Sequence, residues 1–119
     1  LFVFFFISII ITIQAVTEPK NIYGIIFSDD RQKNVEALAI LDITKLDRLN
    51  VVRSIEVKDY VQGPIIDELN MGSEMWVFGR DVNSREVYIK ITLGGENRQT
   101  ICISFHVAEH PLTYPFKNK

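Results

Sequence analysis

Three side chains that could move a proton or hold a phosphate lie in the second half of the chain. Tyr88 and Lys90 stand two residues apart in REVYIKITL, and His106 stands in TICISFHVA. A phenol, an ammonium group and an imidazole can together accept a proton, donate a proton and stabilise negative charge on phosphorus. Because an antiparallel sheet often has one solvated polar face by default, the alternative is that the three are ordinary surface residues.

The strand pattern predicts that the three side chains share one face of a sheet. Successive strand residues point to opposite faces, so Tyr88 and Lys90 lie on the face opposite the apolar residues between them. On the last strand the same alternation separates an apolar set, Ile101, Ile103, Phe105 and Val107, from a polar set, Cys102, Ser104 and His106. The apolar faces of the last two strands coincide only if paired residues are both odd-numbered or both even-numbered. This predicts either an odd effective loop length between them or a glycine bulge at Gly94–Gly95.

The dipeptide Asn83-Ser84 predicts a hairpin whose register can be written out in advance. A two-residue loop pairs Val82 with Arg85. Moving away from the turn along both strands then places Trp76 opposite Ile91 and Phe78 opposite Ile89, in the core, and Gly79 opposite Tyr88.

The elements before this hairpin are predicted to be helical. Ser28, Asp29 and Asp30 offer an N-cap for a helix whose apolar positions are Val35, Leu38, Ala39 and Leu41. Thr44 and Asp47 have the spacing of a capping box for a second helix that runs to about Ile55. Residues 56–64 end the helical part, and residues 65–74 are expected to form a loop. The predicted fold class is α+β: two or more short helices packed on a three-stranded, or slightly larger, antiparallel sheet.

Composition limits the classes of function. The 119 residues fit one domain, the net charge is −2 and the isoelectric point is about 5.7, so a nucleic-acid site must be a local patch. The single cysteine, Cys102, excludes an internal disulfide and a CxxC zinc site, and it is most simply a small buried residue. Asp67, Glu68 and Glu74 lack a repeated ligand spacing, so neither a metal nor a cofactor is predicted.

Residues 1–17, LFVFFFISIIITIQAVT, form an uncharged apolar segment ahead of the predicted domain at residues 18–119. Three interpretations stay open: an export or anchor segment, a misassigned chain start, and a buried core strand. The predicted location is cytoplasmic, with membrane anchoring or export through residues 1–17 as the alternative.

The order WVFG, EVYIKITL, ICISFHVAEHPLTYPF resembles the end of the MqsR-type toxins of toxin–antitoxin systems, which are mRNA interferases with a RelE-like α+β fold. The resemblance covers about residues 22–117, and VYIKITL followed by ISFH is its strongest part. It implies a metal-independent endoribonuclease that acts on mRNA without a cofactor and is held inactive by a cognate antitoxin.

When the site residues of the family are placed on the matching positions of this sequence, some are replaced by other residue types. The active tyrosine of the family falls on Tyr88, and a terminal lysine falls on His106. A second lysine and a glutamine of the family fall on Gln62 and Val77. Lys90 completes the candidate catalytic set, with Arg80, Arg85 and Lys58 as candidate RNA- or phosphate-binding residues. A non-catalytic interaction module, and a toxin fold that has lost cleavage, remain alternatives.

Overall fold

The computed structural model describes residues 9–11, 13, 14, 25–68, 72–93 and 100–117. In chain order the elements are β1 (Ile25–Phe27), α1 (Gln32–Leu41), α2 (Lys45–Arg53), a 3₁₀ helix (Val57–Asp59), β2 (Tyr60–Asp67), β3 (Ser73–Val82), β4 (Arg85–Thr92) and β5 (Thr100–Val107). The strands form one sheet in the order β1-β5-β4-β3-β2. The fold class is therefore α+β, as predicted.

The hairpin between β3 and β4 has the predicted register. Val82 pairs with Arg85, Trp76 with Ile91, Phe78 with Ile89 and Gly79 with Tyr88. Asn83 and Ser84 both have positive φ, 48° and 69°, which is the backbone that a two-residue loop between twisted strands requires. The predicted core positions Trp76 and Phe78 are buried.

The sheet has five strands, where three or slightly more were predicted, and it is mixed rather than antiparallel. β1 adds to β5 in parallel, with Ile26 opposite Ile101. β2 adds to β3 antiparallel and occupies residues assigned in advance to a turn and a loop. Gly63-Pro64 gave the turn signal, but a proline is tolerated in an edge strand such as β2, and the register shifts on both sides of Gln62 accommodate it.

A bulge lies within β5, and Gly94–Gly95, where one was predicted, fall outside the described residues. Lys90 pairs with Ser104 and Ile91 pairs with Cys102, so Ile103 is the extra residue. The prediction for the start of this strand was therefore wrong. Cys102 lies on the core face, 1% exposed, and Ile101 pairs with Thr92 on the other face.

The first helix buries a different face from the predicted one. Asn34, Ala37 and Leu41 are its buried residues, whereas Val35 is 49% exposed. The cap is also different, because Arg31 is the N-cap residue and its side chain makes no capping hydrogen bond. The α1 helix packs beside β5. At this edge of the sheet, strand backbone groups are open to bond a side chain, so the polar Asn34 can be buried.

The second helix begins as predicted. The Thr44 hydroxyl accepts a hydrogen bond from the Asp47 N–H, and the Asp47 carboxylate accepts one from the Thr44 N–H. This capping box satisfies two amides of the first turn. The helix ends at Arg53, two residues before the predicted end, and Ile55 is buried beyond it.

One hydrophobic cluster joins both helices to the sheet. Its members include Leu41, Val52, Ile89 and Phe105, and Ile9 of the N-terminal apolar segment is fully buried in it. Most of residues 1–17 lies outside the described part of the chain. Among the described residues, no helix is long and apolar enough to cross a membrane.

Candidate functional site

Tyr88 and His106 stack on the sheet face that turns away from the main core. They are directly paired residues of β4 and β5. Their ring centroids are 5.4 Å apart and the ring planes differ by 17°. Lys90, one position along the same face, places its Nζ 5.9 Å from the centroid of the Tyr88 ring. The three candidate catalytic residues therefore lie together.

Backbone contact orients the His106 ring. Its Nδ1 lies 3.0 Å from the carbonyl oxygen of Val107, which can only accept a hydrogen bond. A neutral imidazole held in this way carries its proton on Nδ1 and leaves Nε2 as an acceptor. The half-buried position of Tyr88 raises the pKa of its phenol by desolvation, so this hydroxyl keeps its proton in neutral solution and can donate a hydrogen bond.

These residues line a cleft of about 820 Å³. Its floor is the polar face of β4 and β5, one wall is the start of α1, and the other wall is the segment after β5. The full lining is Arg31, Gln32, Lys33, Asn34, Glu36, Tyr88, Lys90, Ser104, His106, Glu109, His110 and Leu112. This volume is in the range of small-molecule sites, which is about 300–1,000 Å³.

Asn34 fixes the helical wall against the sheet. Its side-chain amide donates to the carbonyl oxygens of Ser28 at 2.9 Å and of Ile103 at 2.8 Å, and its Oδ1 accepts from the Phe105 N–H at 3.0 Å. The side chain therefore substitutes for a neighbouring strand along the part of β5 that β1 does not reach. A polar residue that is 2% exposed is in this way fully bonded.

Glu86 fixes the opposite wall, which is formed by the tail after β5. Its two carboxylate oxygens accept hydrogen bonds from the Leu112 N–H at 2.9 Å and from the Tyr114 hydroxyl at 2.8 Å. A Cβ atom on Gly79 would overlap the Tyr114 side chain, so the glycine allows the tail to lie directly on the sheet. Burial and the Glu86 carboxylate raise the pKa of Tyr114.

An ion pair between Lys33 and Glu109 joins the two walls. Lys33 is the main reason that the pKa of Glu109 lies below its usual value, and the nearby His106 and His110 act in the same direction. Gln32 donates to Glu36 at 2.6 Å, so both carboxylates of the cleft are engaged. Arg31 and Lys90 have no ion-pair partner within the described part of the chain.

The three predicted phosphate-binding residues are not brought into this cleft. Arg80 lines a separate cavity of about 300 Å³, where Asp59 binds it at 2.6 Å and the Ser54 carbonyl oxygen accepts from it at 2.6 Å. Lys58 lines the same cavity, with its Nζ 3.7 Å from Glu56. Arg85 is exposed at the hairpin end of β4.

Gln62 and Val77, where the MqsR-type pattern has other residues, lie in the same cross-strand row as Lys90 and Ser104. Gln62 pairs with Val77, Val77 with Lys90, and Lys90 with Ser104. Gln62 is exposed, whereas Val77 is fully buried. Val77 can therefore contribute only packing to this face.

Cys102 does not line the cleft, and its thiol has low reactivity. Burial raises the pKa of its thiol to about 12, which leaves almost no thiolate at neutral pH. Among the described residues, no three His, Cys, Asp or Glu side chains lie close enough to hold a metal ion.

Sequence inspection missed the contribution of the first helix to the site. Arg31 and Lys33, which follow the predicted cap at Ser28–Asp30, supply two of the cations of the cleft, and the sequence pattern did not single them out. The mixed charges of the run SDDRQKN carry no spacing that distinguishes a site wall from a solvated helix start. Comparison of the chain with protein-family models, with curated proteins and with solved structures finds no match.

Proposed function

We propose that this chain is a metal-independent endoribonuclease that cleaves mRNA, as the toxin of an MqsR-type toxin–antitoxin pair with a RelE-like fold. The observation that carries the proposal is the placement of Tyr88, Lys90 and His106 in one cleft, with the tyrosine and histidine rings stacked. Together they can supply the base, the acid and the cation that RNA cleavage without a metal uses.

In the proposed reaction the 2′-hydroxyl of a ribose attacks the adjacent phosphorus. Nε2 of His106 accepts the proton of that hydroxyl as the new O2′–P bond forms. The P–O5′ bond breaks, and the leaving oxygen takes a proton from the Tyr88 hydroxyl, whose raised pKa keeps it protonated beforehand. Lys90 stabilises the charge on the non-bridging oxygens. The products are a 2′,3′-cyclic phosphate and a free 5′-hydroxyl.

Two further parts of the proposal follow from the family. The partner is a cognate antitoxin protein that blocks the activity, and the proposed location is the cytoplasm, where mRNA is available. Neither a metal nor a cofactor is part of the mechanism.

A chain that binds RNA without cutting it is the second candidate. Val77 supports it, because this position of the row beside Lys90 is apolar and fully buried instead of polar.

The test is expression of the full chain, because Ile9 belongs to the hydrophobic core and truncation at residue 18 would remove it. Induction in a bacterial host is expected to arrest growth with loss of full-length mRNA. The purified chain is expected to cut single-stranded RNA in EDTA and to leave RNA with 2′-deoxyribose at the cut site whole.

Three variants and one control identify the groups responsible. His106→Ala and Tyr88→Phe are each expected to slow cleavage by about 10²–10⁴-fold, the usual contribution of a positioned acid or base. Lys90→Ala is compared with Lys45→Ala, which removes an exposed cation outside the cleft and is expected to leave cleavage unchanged. A harmless full chain that binds RNA but leaves it intact would favour the second candidate.

A further inference from the structure

The N-terminus of α1 opens into the cleft without a cap. The helix is ten residues long, and the side chain of its N-cap residue, Arg31, makes no capping hydrogen bond. In the described part of the chain, the amides of Gln32 and Lys33 have no hydrogen-bond acceptor. First-turn amides carry the positive end of the helix dipole, so they favour an anion at this place.

Ser104 independently indicates a ligand in the same cleft. It is 3% exposed, it lines the cleft, and it pairs with Lys90 on the cleft floor. No hydrogen bond joins its hydroxyl to any other residue that the structure describes, and its oxygen is not among the fully enclosed atoms without a partner, so it is open to the cleft. A side chain that is otherwise enclosed therefore keeps its donor and acceptor available to a ligand in the cleft.

Asn34 places these two features next to each other. Its side chain binds the Ile103 carbonyl and the Phe105 N–H, which flank Ser104 on both sides. Because Asn34 is the third residue of α1, the first turn of the helix is held beside the Ser104 position.

We propose that the α1 N-terminus, the Arg31 guanidinium and the Ser104 hydroxyl form a phosphate subsite. It binds a phosphodiester of the RNA substrate that neighbours the phosphodiester being cleaved. The proposal rests on the proposed function and adds a second contact to it. Arg31 supplies a planar set of donors that suits phosphate oxygens. The two carboxylates of the cleft do not oppose it directly, since Glu36 is bonded by Gln32 and Glu109 by Lys33.

The test uses binding without cleavage. The full chain is titrated with fluorescent 2′-O-methyl oligoribonucleotides, which lack the attacking hydroxyl, and one phosphate at a time is replaced by an uncharged methylphosphonate. Arg31→Gln is expected to weaken binding about tenfold and to reduce the slope of log Kd against log salt by about 0.7. Ser104→Ala is expected to weaken it about threefold. Lys45→Gln is the matched control for a lost surface cation.

The decisive result is a coupling between variant and phosphate position. One flanking methylphosphonate should weaken binding to the natural chain and have no further effect on Arg31→Gln, whereas Lys45→Gln should respond like the natural chain. If every position affects the natural chain and Arg31→Gln equally, or if no oligonucleotide binds, the subsite is wrong, even where ordinary RNA is cleaved. If the coupling appears but ordinary RNA stays intact, the subsite stands and the catalytic proposal fails.

Discussion

Replacement of Asn34 should destabilise the protein far more than its position on a helix suggests. The side chain makes three hydrogen bonds, to the carbonyl oxygens of Ser28 and Ile103 and from the N–H of Phe105. Alanine can make none of them. The substitution therefore separates the start of α1 from β5 and leaves a buried amide of the strand without an acceptor.

The expected loss follows from those three bonds. A typical intramolecular hydrogen bond contributes about 1 kcal/mol, and a buried donor left without a partner costs about 1–3 kcal/mol. Alanine recovers roughly 0.5 kcal/mol through its higher helix propensity. With about 1 kcal/mol for each of the two donated bonds and about 1–3 kcal/mol for the unpartnered Phe105 amide, less the propensity gain, Asn34→Ala is expected to lower the free energy of unfolding by about 2.5–4.5 kcal/mol. That is a large part of the 5–15 kcal/mol typical of a domain.

Urea denaturation at constant pH and salt measures this change, provided that the slope with denaturant stays constant. Asn50→Ala, at an exposed position of α2, is the matched control and should at most raise stability by roughly the 0.5 kcal/mol of its helix-propensity gain. Asn34→Asp keeps the acceptor for Phe105 but loses both donors and turns a charge toward two carbonyls, so it should be at least as unstable as Asn34→Ala at pH 7. A loss below about 1 kcal/mol in Asn34→Ala would refute the structural role assigned to these bonds.

Three further predictions concern the tail, an ion pair and the thiol. Gly79→Ala should displace Tyr114, lower the free energy of unfolding by about 1–3 kcal/mol and speed hydrogen exchange of the tail amides; unchanged exchange would contradict the close approach. The Arg48 hydrogen bond lowers the pKa of Asp29, so its stabilisation is present above the unfolded pKa of about 4 and disappears as pH falls through the folded value. The stability difference between the natural chain and Asp29→Asn should thus shrink from pH 6 to pH 3 in urea titrations, and a constant difference would exclude this linkage. Cys102, with a pKa raised to about 12 by burial, should resist alkylation at pH 8 until the protein unfolds; rapid labelling of the folded chain would show that the thiol is accessible.

Local signals allowed the hairpin and the second helix to be predicted well. The loop length at Asn83-Ser84 determines the pairing of every residue from Val82 back to Trp76. The capping box at Thr44 and Asp47 is likewise contained within four residues. In both cases the residues that determine the structure lie within the hairpin or helix that they determine.

The two additional strands depend on contacts that are distant in sequence. β1 is three residues long, and only its pairing with β5, about 75 residues later, makes it a strand. β2 contains Gly63 at φ 137°, where the backbone passes close to Trp76 and a Cβ atom would crowd it. Glycine and proline indicated a turn because the neighbouring strand is not visible in the local pattern.

The face of α1 was predicted wrongly for a related reason. Periodicity alone favours Val35, but the helix lies at the exposed edge of β5, and the residue that fits there is one that can bond to a backbone. Tertiary hydrogen bonding therefore decided the rotation of this helix, and apolar periodicity did not.

The bulge at Ile103 explains why the grouping of Tyr88, Lys90 and His106 on one face was predicted correctly although the start of β5 was not. From Ser104 to Val107 the pairing keeps the parity that brings His106 beside Tyr88. Before the bulge the parity changes, and Cys102 moves from the polar face into the core. A single extra residue thus separates a buried, inert thiol from an imidazole that faces the cleft, two types of side chain that simple alternation would have placed on one surface. The acid, base and cationic groups that face the cleft therefore include His106, Tyr88 and Lys90, and the Cys102 thiol is not among them.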